Sequence, residues 1–126
     1  LYFICANRPA QSAVAHGVEV LSPAWYRELA RAFQAKRDRL CAALEEAGFA
    51  PLVPHGAYYV LADAGALGYT SARSAAMELL ERCGVAAVPG TAFYHGSDGE
   101  RFLRVCFAKE DDVLDDACAR IRSFER

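Results

Sequence analysis

Arg104 is the residue of this sequence best suited to chemistry, because it is a lone cation inside the apolar run Phe-Leu-Arg-Val-Cys-Phe. The alternation of this run predicts a β-strand over residues 102–108, with Leu103, Val105 and Phe107 on one face and Arg104 on the other. An unpaired buried charge is very unfavourable, so Arg104 must have a carboxylate partner, lie on an exposed sheet face or point into a wet site. Its planar fork matches a carboxylate or a phosphate. From the residues alone, an internal ion pair or an exposed sheet face is the favoured interpretation, and anion binding is the alternative.

The cysteines and histidines show no spacing typical of a disulfide framework or a zinc site. There are five cysteines, an odd number without a Cys-x-x-Cys pair, and the histidines are widely scattered. The cysteines are Cys5, Cys41, Cys83, Cys106 and Cys118, each among apolar neighbours. Small buried thiols of this kind indicate a reducing, cytoplasmic setting, and no metal site is expected.

The composition limits the classes of partner. The chain of 126 residues carries a net charge of −2 with both signs mixed, so nucleic acid is not expected as a partner. No apolar run is long enough to span a membrane, so no membrane partner is expected either. The sequence begins at Leu1, without a Met and directly on strand-like residues, which predicts a fragment of a longer chain.

The strand that carries Arg104 needs neighbours, and the flanking sequence predicts them. Residues 85–88 form a short apolar segment, and residues 95–100 have turn composition, so the two predicted strands are joined by a loop. Earlier in the chain, residues 49–53 and 58–62 predict a hairpin, with the first strand at an edge because Pro51 cannot donate to a ladder.

Helices fill the rest of the chain. Asn7, Arg8 and Pro9 indicate a first helix start, and Ser22 and Pro23 a second, longer helix. Helices are also predicted from about residue 71 to 83 and after residue 110, each following a strand pair. The order is therefore two helices and then ββα twice, which predicts an α+β fold with a small, mainly antiparallel sheet and helices packed on one face. The predicted inward positions of the last two helices are Ala75, Ala76, Leu79, Leu80, Cys83, Val113, Leu114, Ala117, Cys118 and Ile121.

Several motifs resemble a known family. Residues 84–94, Gly-Val-Ala-Ala-Val-Pro-Gly-Thr-Ala-Phe-Tyr, and residues 103–109, Leu-Arg-Val-Cys-Phe-Ala-Lys, are similar to the C-terminal part of class I/II aminotransferases, pyridoxal-phosphate enzymes of fold type I. Three further segments match in order: Pro-Ala-Gln-Ser-Ala-Val-Ala from residue 9, Lys-Arg-Asp from residue 36 and Gly-Ala-Tyr-Tyr from residue 56. The branches that the sequence resembles are the kynurenine, methionine, glutamine and succinyldiaminopimelate aminotransferases.

The resemblance implies roles for single residues. It gives Arg104 the binding of the substrate α-carboxylate, which reverses the preference drawn from the residues alone. Tyr58 is a further candidate for substrate binding, and Arg8 is a candidate for a distal substrate group across a homodimer. Two departures from the family pattern bear on the pocket, since Ala57 replaces a Thr or Ser and Tyr59 replaces a Phe.

The resemblance also implies what this chain lacks. The family's chemistry needs a lysine that forms a Schiff base with pyridoxal phosphate, in a sequence context that neither Lys36 nor Lys109 has. We therefore expect no catalytic and no cofactor-binding residue in this chain, and we expect a missing large domain to bind the cofactor. Residues 1–47 are then a connecting segment and long helix from that domain, and residues 48–126 are the C-terminal small domain.

Two functions follow as expectations. In the first, the chain is part of a cytoplasmic, homodimeric aminotransferase that exchanges an amino group between an amino acid and a 2-oxo acid, and the fragment alone is inactive. In the second, it is a non-catalytic α+β module for small-molecule binding or dimerisation that uses Arg104 as an anion anchor. A parent gene that encodes a large domain with the Schiff-base lysine distinguishes the first from the second.

Overall fold

The computed structural model describes residues 6–124, so the apolar segment predicted at residues 1–5 lies outside the described part of the chain. The chain forms two compact units, Leu1–Ala32 and Phe33–Arg126. Within residues 6–124 the main elements are α1 (Arg8–Val20), α2 (Pro23–Glu46), β1 (Ala50–Leu52), β2 (Tyr59–Asp63), α3 (Ala72–Cys83), β3 (Val88–Pro89), β4 (Phe102–Cys106) and α4 (Asp111–Arg122). No helix among these is both long and apolar enough to cross a lipid bilayer.

The first unit contains α1 and the beginning of α2, and both helices start where the sequence predicts. Asn7 caps α1, because its side-chain oxygen accepts a hydrogen bond from the backbone N–H of Ala10 at 3.1 Å. No residue of α1 is buried, and Val14 and Val18 are each 66% exposed.

The second unit is built on a four-stranded sheet with the order β1-β2-β4-β3. Every neighbouring pair is antiparallel. β1, which contains Pro51, lies at one edge, as its missing N–H requires. β4 lies between β2 and β3, so Arg104 sits in a central strand, where its cross-strand partners are Leu61 on one side and Val88 on the other.

One face of the sheet carries the core. Burial alternates along β2 and β4, with Val60, Ala62, Leu103 and Val105 buried. The C-terminal half of α2, together with α3 and α4, adds its buried side chains to the same cluster; these include Leu40, Leu44, Ala75, Leu79, Leu114, Cys118 and Ile121. The predicted α+β class, with helices on one face of a small antiparallel sheet, is confirmed.

Three local predictions are wrong. The strand predicted over residues 85–88 is reduced to Val88–Pro89, because Val85 and Ala86 do not pair with β4 but line a cavity of about 330 Å³ with Val105 and Cys106. Leu80 and Val113, both predicted to face inward, are 42% and 52% exposed. Val113 lines the same cavity as Val85 and Ala86, and Leu80 lines a second cavity with Ala86 and Ala87, so both side chains border open space.

Candidate functional site

Arg104 lies on the sheet face opposite to the core. Its neighbours along β4, Leu103 and Val105, are buried, whereas Arg104 itself is half-buried, as strand alternation requires. This confirms the predicted division of the strand into an apolar core face and a second face that carries the cation.

Two aromatic rings contact the Arg104 guanidinium. Its central carbon Cζ lies 4.3 Å from the ring centre of Phe93 and 5.2 Å from that of Tyr59. The rings arrive from opposite sides of β4, since Tyr59 is on β2 and Phe93 follows β3 after the short 3-10 turn Gly90–Ala92. A cation this close to an aromatic face is stabilised by the ring quadrupole, by about 0.5–1 kcal/mol at an exposed site.

Arg104 has no acidic partner within residues 6–124. Other arginines of this unit are paired, such as Arg101 with Asp63 and Arg39 with Asp111 and Asp115. The Arg104 side chain makes neither an ion pair nor a hydrogen bond within this range. Of the two positions that the residues alone favoured, the internal ion pair is not formed among the described residues, whereas a position on the sheet face outside the core is the one observed. The guanidinium donors stay available to an external acceptor.

The loop that carries Phe93 is held by a close backbone contact between two buried glycines. A Cβ built on Gly90 would lie 2.5 Å from the carbonyl oxygen of Gly99 and 2.9 Å from that of Phe102. A Cβ on Gly99 would lie 2.6 Å from the Gly90 carbonyl carbon. Only glycine fits this approach. The Phe93 N–H donates to the Gly90 carbonyl at 2.8 Å, and this hydrogen bond closes the 3-10 turn that precedes Phe93.

Asp63 lies at the other end of this sheet face and accepts hydrogen bonds there. Its Oδ1 accepts hydrogen bonds from the Gly65 backbone N–H at 2.8 Å and from Arg101 Nε at 3.1 Å. The hydrogen bond from Arg101 holds the pKa of Asp63 below its ordinary value, and the backbone donor of Gly65 acts in the same direction. A carboxylate held in this way is structural, because both of its oxygens contact groups of its own unit.

Replacing Asp63 should give a pH-dependent loss of stability. We expect Asp63→Asn to lower the free energy of unfolding at pH 7 by about 0.5–1 kcal/mol, because Asn keeps the oxygen that accepts from Gly65 but loses the charge that pairs with Arg101. Because the folded-state pKa is depressed, the wild-type advantage is complete above the unfolded value of about 3.9 and disappears as the pH falls through the folded-state pKa. Urea unfolding of both chains between pH 7 and pH 2.5 measures this difference. A difference that stayed constant over that range would contradict it.

The structure places the other predicted residues less centrally. Tyr58 precedes β2 and is 53% exposed, and its ring meets the Tyr59 ring edge-on at 5.3 Å, so it touches Tyr59 and not Arg104. Arg8 is exposed at the start of α1, in the first unit. Ala57 has a φ of +63°, a left-handed conformation that disfavours any residue with a Cβ.

Sequence reasoning missed Phe93 as a neighbour of Arg104. The Gly-Thr-Ala-Phe-Tyr segment was part of the family resemblance, but nothing in its local pattern shows which side chain folds back onto β4. Tyr59 was identified only as a departure from the family's Phe. Within residues 6–124, no group of three His, Cys, Asp or Glu side chains is placed to hold a metal ion.

Comparison with known proteins gives this geometry its context. The family described as aminotransferase class I and II matches residues 2–121. This chain belongs to the class I and II aminotransferases.

Individual relatives support the assignment. The probable N-succinyldiaminopimelate aminotransferase DapC of Mycobacterium tuberculosis is 37% identical over 122 residues, which cover 90% of this chain and 30% of that protein. The solved structure of the N-succinyldiaminopimelate aminotransferase from this organism matches with a TM-score of 0.82, covering 95% of this chain and 31% of the other. The Escherichia coli protein YbdL, identified by its structure and reactivity as a methionine aminotransferase, matches with a TM-score of 0.79 at 32% identity, covering 93% of this chain and 30% of that one.

The comparisons thus show the aminotransferase family and fold for this chain. They do not show that the chain is a whole aminotransferase. The chain spans about 30% of the length of the curated relatives it matches first. The α-carboxylate role of Arg104, the roles of Tyr58 and Arg8, and the domain boundary near residue 47 remain predictions.

Proposed function

We propose that this chain is the C-terminal portion of a pyridoxal-phosphate-dependent aminotransferase, in which Arg104 binds the α-carboxylate of the substrate. The parent protein transfers an amino group between an amino acid and a 2-oxo acid. One observation carries the proposal: Arg104 is a guanidinium on a central strand whose donors are committed to no group within residues 6–124, in a chain of the aminotransferase family.

The chemistry of the Arg104 guanidinium supports this proposal. A guanidinium presents parallel N–H donors that meet both oxygens of a carboxylate at once, which fixes orientation as well as distance. A hydrogen bond to a charged group contributes about 1.5–3 kcal/mol. A substrate held at its carboxylate presents its α-carbon in a single orientation, and orientation sets much of the rate of a proton transfer.

We propose that neither lysine of this chain holds the cofactor covalently. Lys36 Nζ donates to the backbone carbonyl of Lys109 and lies 3.9 Å from Asp111 Oδ1, and its side chain is only 18% exposed. It therefore ties α2 to the start of α4. Lys109 is exposed beyond the end of β4. Pyridoxal phosphate supplies the electron sink of amino-group transfer, and we assign its binding to the part of the parent outside this chain.

The finer parts of the proposal concern substrate and assembly. The relatives carry names for N-succinyldiaminopimelate and methionine aminotransferases. For the parent we propose an amino acid and a 2-oxo acid as substrates, a homodimer, and a cytoplasmic location. Tyr58 and Arg8 are proposed as further substrate contacts, Arg8 across the dimer. Arg8 is exposed and forms no ion pair within the described residues, which leaves it available for that role.

Cofactor labelling tests the proposal. When this chain is incubated with pyridoxal phosphate, reduced with borohydride and mapped by peptide mass, we expect no stoichiometric label on Lys36 or Lys109 and no transamination. The full-length parent, treated alike, should be labelled on one lysine outside this chain. Stoichiometric labelling of Lys36 or Lys109 would contradict the assignment of the cofactor to the rest of the parent. A parent without any labelled lysine would favour the non-catalytic module.

A further inference from the structure

We infer that Phe93 and Tyr59 are positioning residues for carboxylate recognition: they hold the Arg104 guanidinium by its aromatic contacts, so that its N–H donors remain free for the substrate. The inference rests on the proposed carboxylate role of Arg104. It adds the two side chains that hold the guanidinium in position for that role.

The first step is the contrast between Arg104 and the paired arginines. Arg39 and Arg101 are held by carboxylates, which accept hydrogen bonds from both terminal nitrogens of Arg39 and from Nε and Nη2 of Arg101. Arg104 is held without any such partner within residues 6–124, by rings at 4.3 and 5.2 Å. An aromatic ring attracts a cation through its π face and needs none of the N–H donors. A residue held in this way is fixed in place and still able to make a bidentate contact.

The second step is the source of the two rings. Tyr59 is on β2, which is hydrogen-bonded to one side of β4, whereas Phe93 follows β3 on the other side. Contacts from both sides of β4 restrict the long Arg side chain more than one ring would. Phe93 depends in turn on the contact between Gly90 and Gly99, which places its loop. Phe93 is 50% exposed, so its ring is not needed to complete the core.

The test uses the full-length parent and two ligands of the same shape. 3-Phenylpropionate carries a carboxylate and no amino group, and 3-phenylpropionamide is its neutral counterpart. The ratio of the two Kd values, measured by calorimetry, isolates carboxylate recognition, because both ligands share the same phenylethyl tail and its contacts. Phe93→Leu should reduce this preference for the carboxylate about fivefold, which is ~1 kcal/mol, while the Kd of the amide changes less than about twofold. Tyr59→Leu should act in the same direction.

Two comparisons separate a positioning role from a merely structural one. Phe93→Tyr keeps a ring over the guanidinium and should lie closer to the wild-type ratio than Phe93→Leu. In an Arg104→Gln background, Phe93→Leu should reduce the ratio no further, because the group that it positions is gone. The matched control is Tyr94→Leu, since Tyr94 lies in the same loop and stacks on Phe102 at 6.0 Å. It should leave the ratio within about twofold of the wild type.

The outcomes distinguish this inference from the proposal beneath it. If Arg104→Gln leaves the ratio unchanged, the carboxylate role of Arg104 is wrong and the inference falls with it. If Arg104→Gln abolishes the preference but Phe93→Leu and Tyr59→Leu do not alter it, only the inference is overturned. Equal weakening of acid and amide by Phe93→Leu would show that Phe93 contacts the tail of the ligand, which also overturns it.

Discussion

Arg104→Lys in the full-length parent is expected to lower kcat/KM for the amino-acid substrate by about ten- to a hundredfold or more, at ~1.4 kcal/mol per factor of ten. Lysine keeps the charge but presents a point cation where the substrate needs a planar pair of donors. Its compact ammonium also lacks the guanidinium plane that lies against Phe93 and Tyr59. Both losses act on the orientation of the substrate, so the reduction should be seen in kcat as well as in KM. Steady-state kinetics, in which the concentration of one substrate is varied while that of the other is held constant, measures kcat and KM for each substrate.

The stability of the fold should respond little to the same change. Arg104 has no ion pair within residues 6–124 that the substitution would break, so thermal melts of this chain should shift by only a few degrees. Arg82→Lys is the control for kinetics, because Arg82 also lies over a ring, that of Phe124 at 5.2 Å, but on α3, where it pairs with Glu78. It should leave kcat/KM within about twofold of the wild type. Unchanged kinetics of Arg104→Lys with a strongly lowered melting temperature would show that Arg104 is a structural residue.

Gly90→Ala is expected to lower the free energy of unfolding by about 1–3 kcal/mol, the usual range for overpacking a buried site. The added methyl group would meet two backbone oxygens, those of Gly99 and Phe102, at 2.5 and 2.9 Å. Backbone atoms cannot turn aside as a flexible side chain can, so residues 90–99 must move as a segment. Because that segment carries Phe93, the carboxylate preference of the parent should fall together with stability. Urea unfolding of the chain, with ligand binding to the parent, measures both effects.

Gly56→Ala provides the control for backbone entropy. A Cβ at Gly56 would meet nothing within 4 Å, and no positive φ demands a glycine there. The substitution should leave stability unchanged or raise it by up to about 1 kcal/mol. Gly99→Ala adds a methyl group to the other partner of the same backbone contact. It should lower the free energy of unfolding by about as much as Gly90→Ala. If Gly90→Ala and Gly56→Ala gave equal stability, the close approach of residues 90 and 99 would not hold in solution.

Local patterns in the sequence were enough to predict the elements and the face on which Arg104 lies. Asn7 and Ser71 accept a hydrogen bond from the first turn of α1 and α3, and Gly84 ends α3 with a φ of +67°, so each boundary depends on one residue and its near neighbours. The alternation of β4 depends only on the period of a strand. For the same reason the small antiparallel sheet with helices on one face was predicted from the order of the elements.

The family assignment also came from the sequence, because its motifs are short, ordered segments that need no tertiary information to be compared. The resemblance named the family that the comparison with known proteins then showed. It did not reveal how the site is built, since a motif carries residue types and not the contacts between them. The chemistry of Arg104 in the parent remains a prediction that the kinetics above can test.

The sequence by itself thus determined the α+β class, the approximate helix bounds and the face of β4 on which Arg104 lies, all of which follow from hydrogen bonds and periods within a few residues. The tertiary structure alone decided that β3 stops at two residues, that Leu80 and Val113 are left uncovered, and that Phe93 lies against Arg104. These outcomes depend on which strands pair, in which register, and on the contact of Gly90 with Gly99. These contacts join residues 9 to 16 positions apart in the chain, and a pattern of neighbouring residues does not encode contacts over such distances.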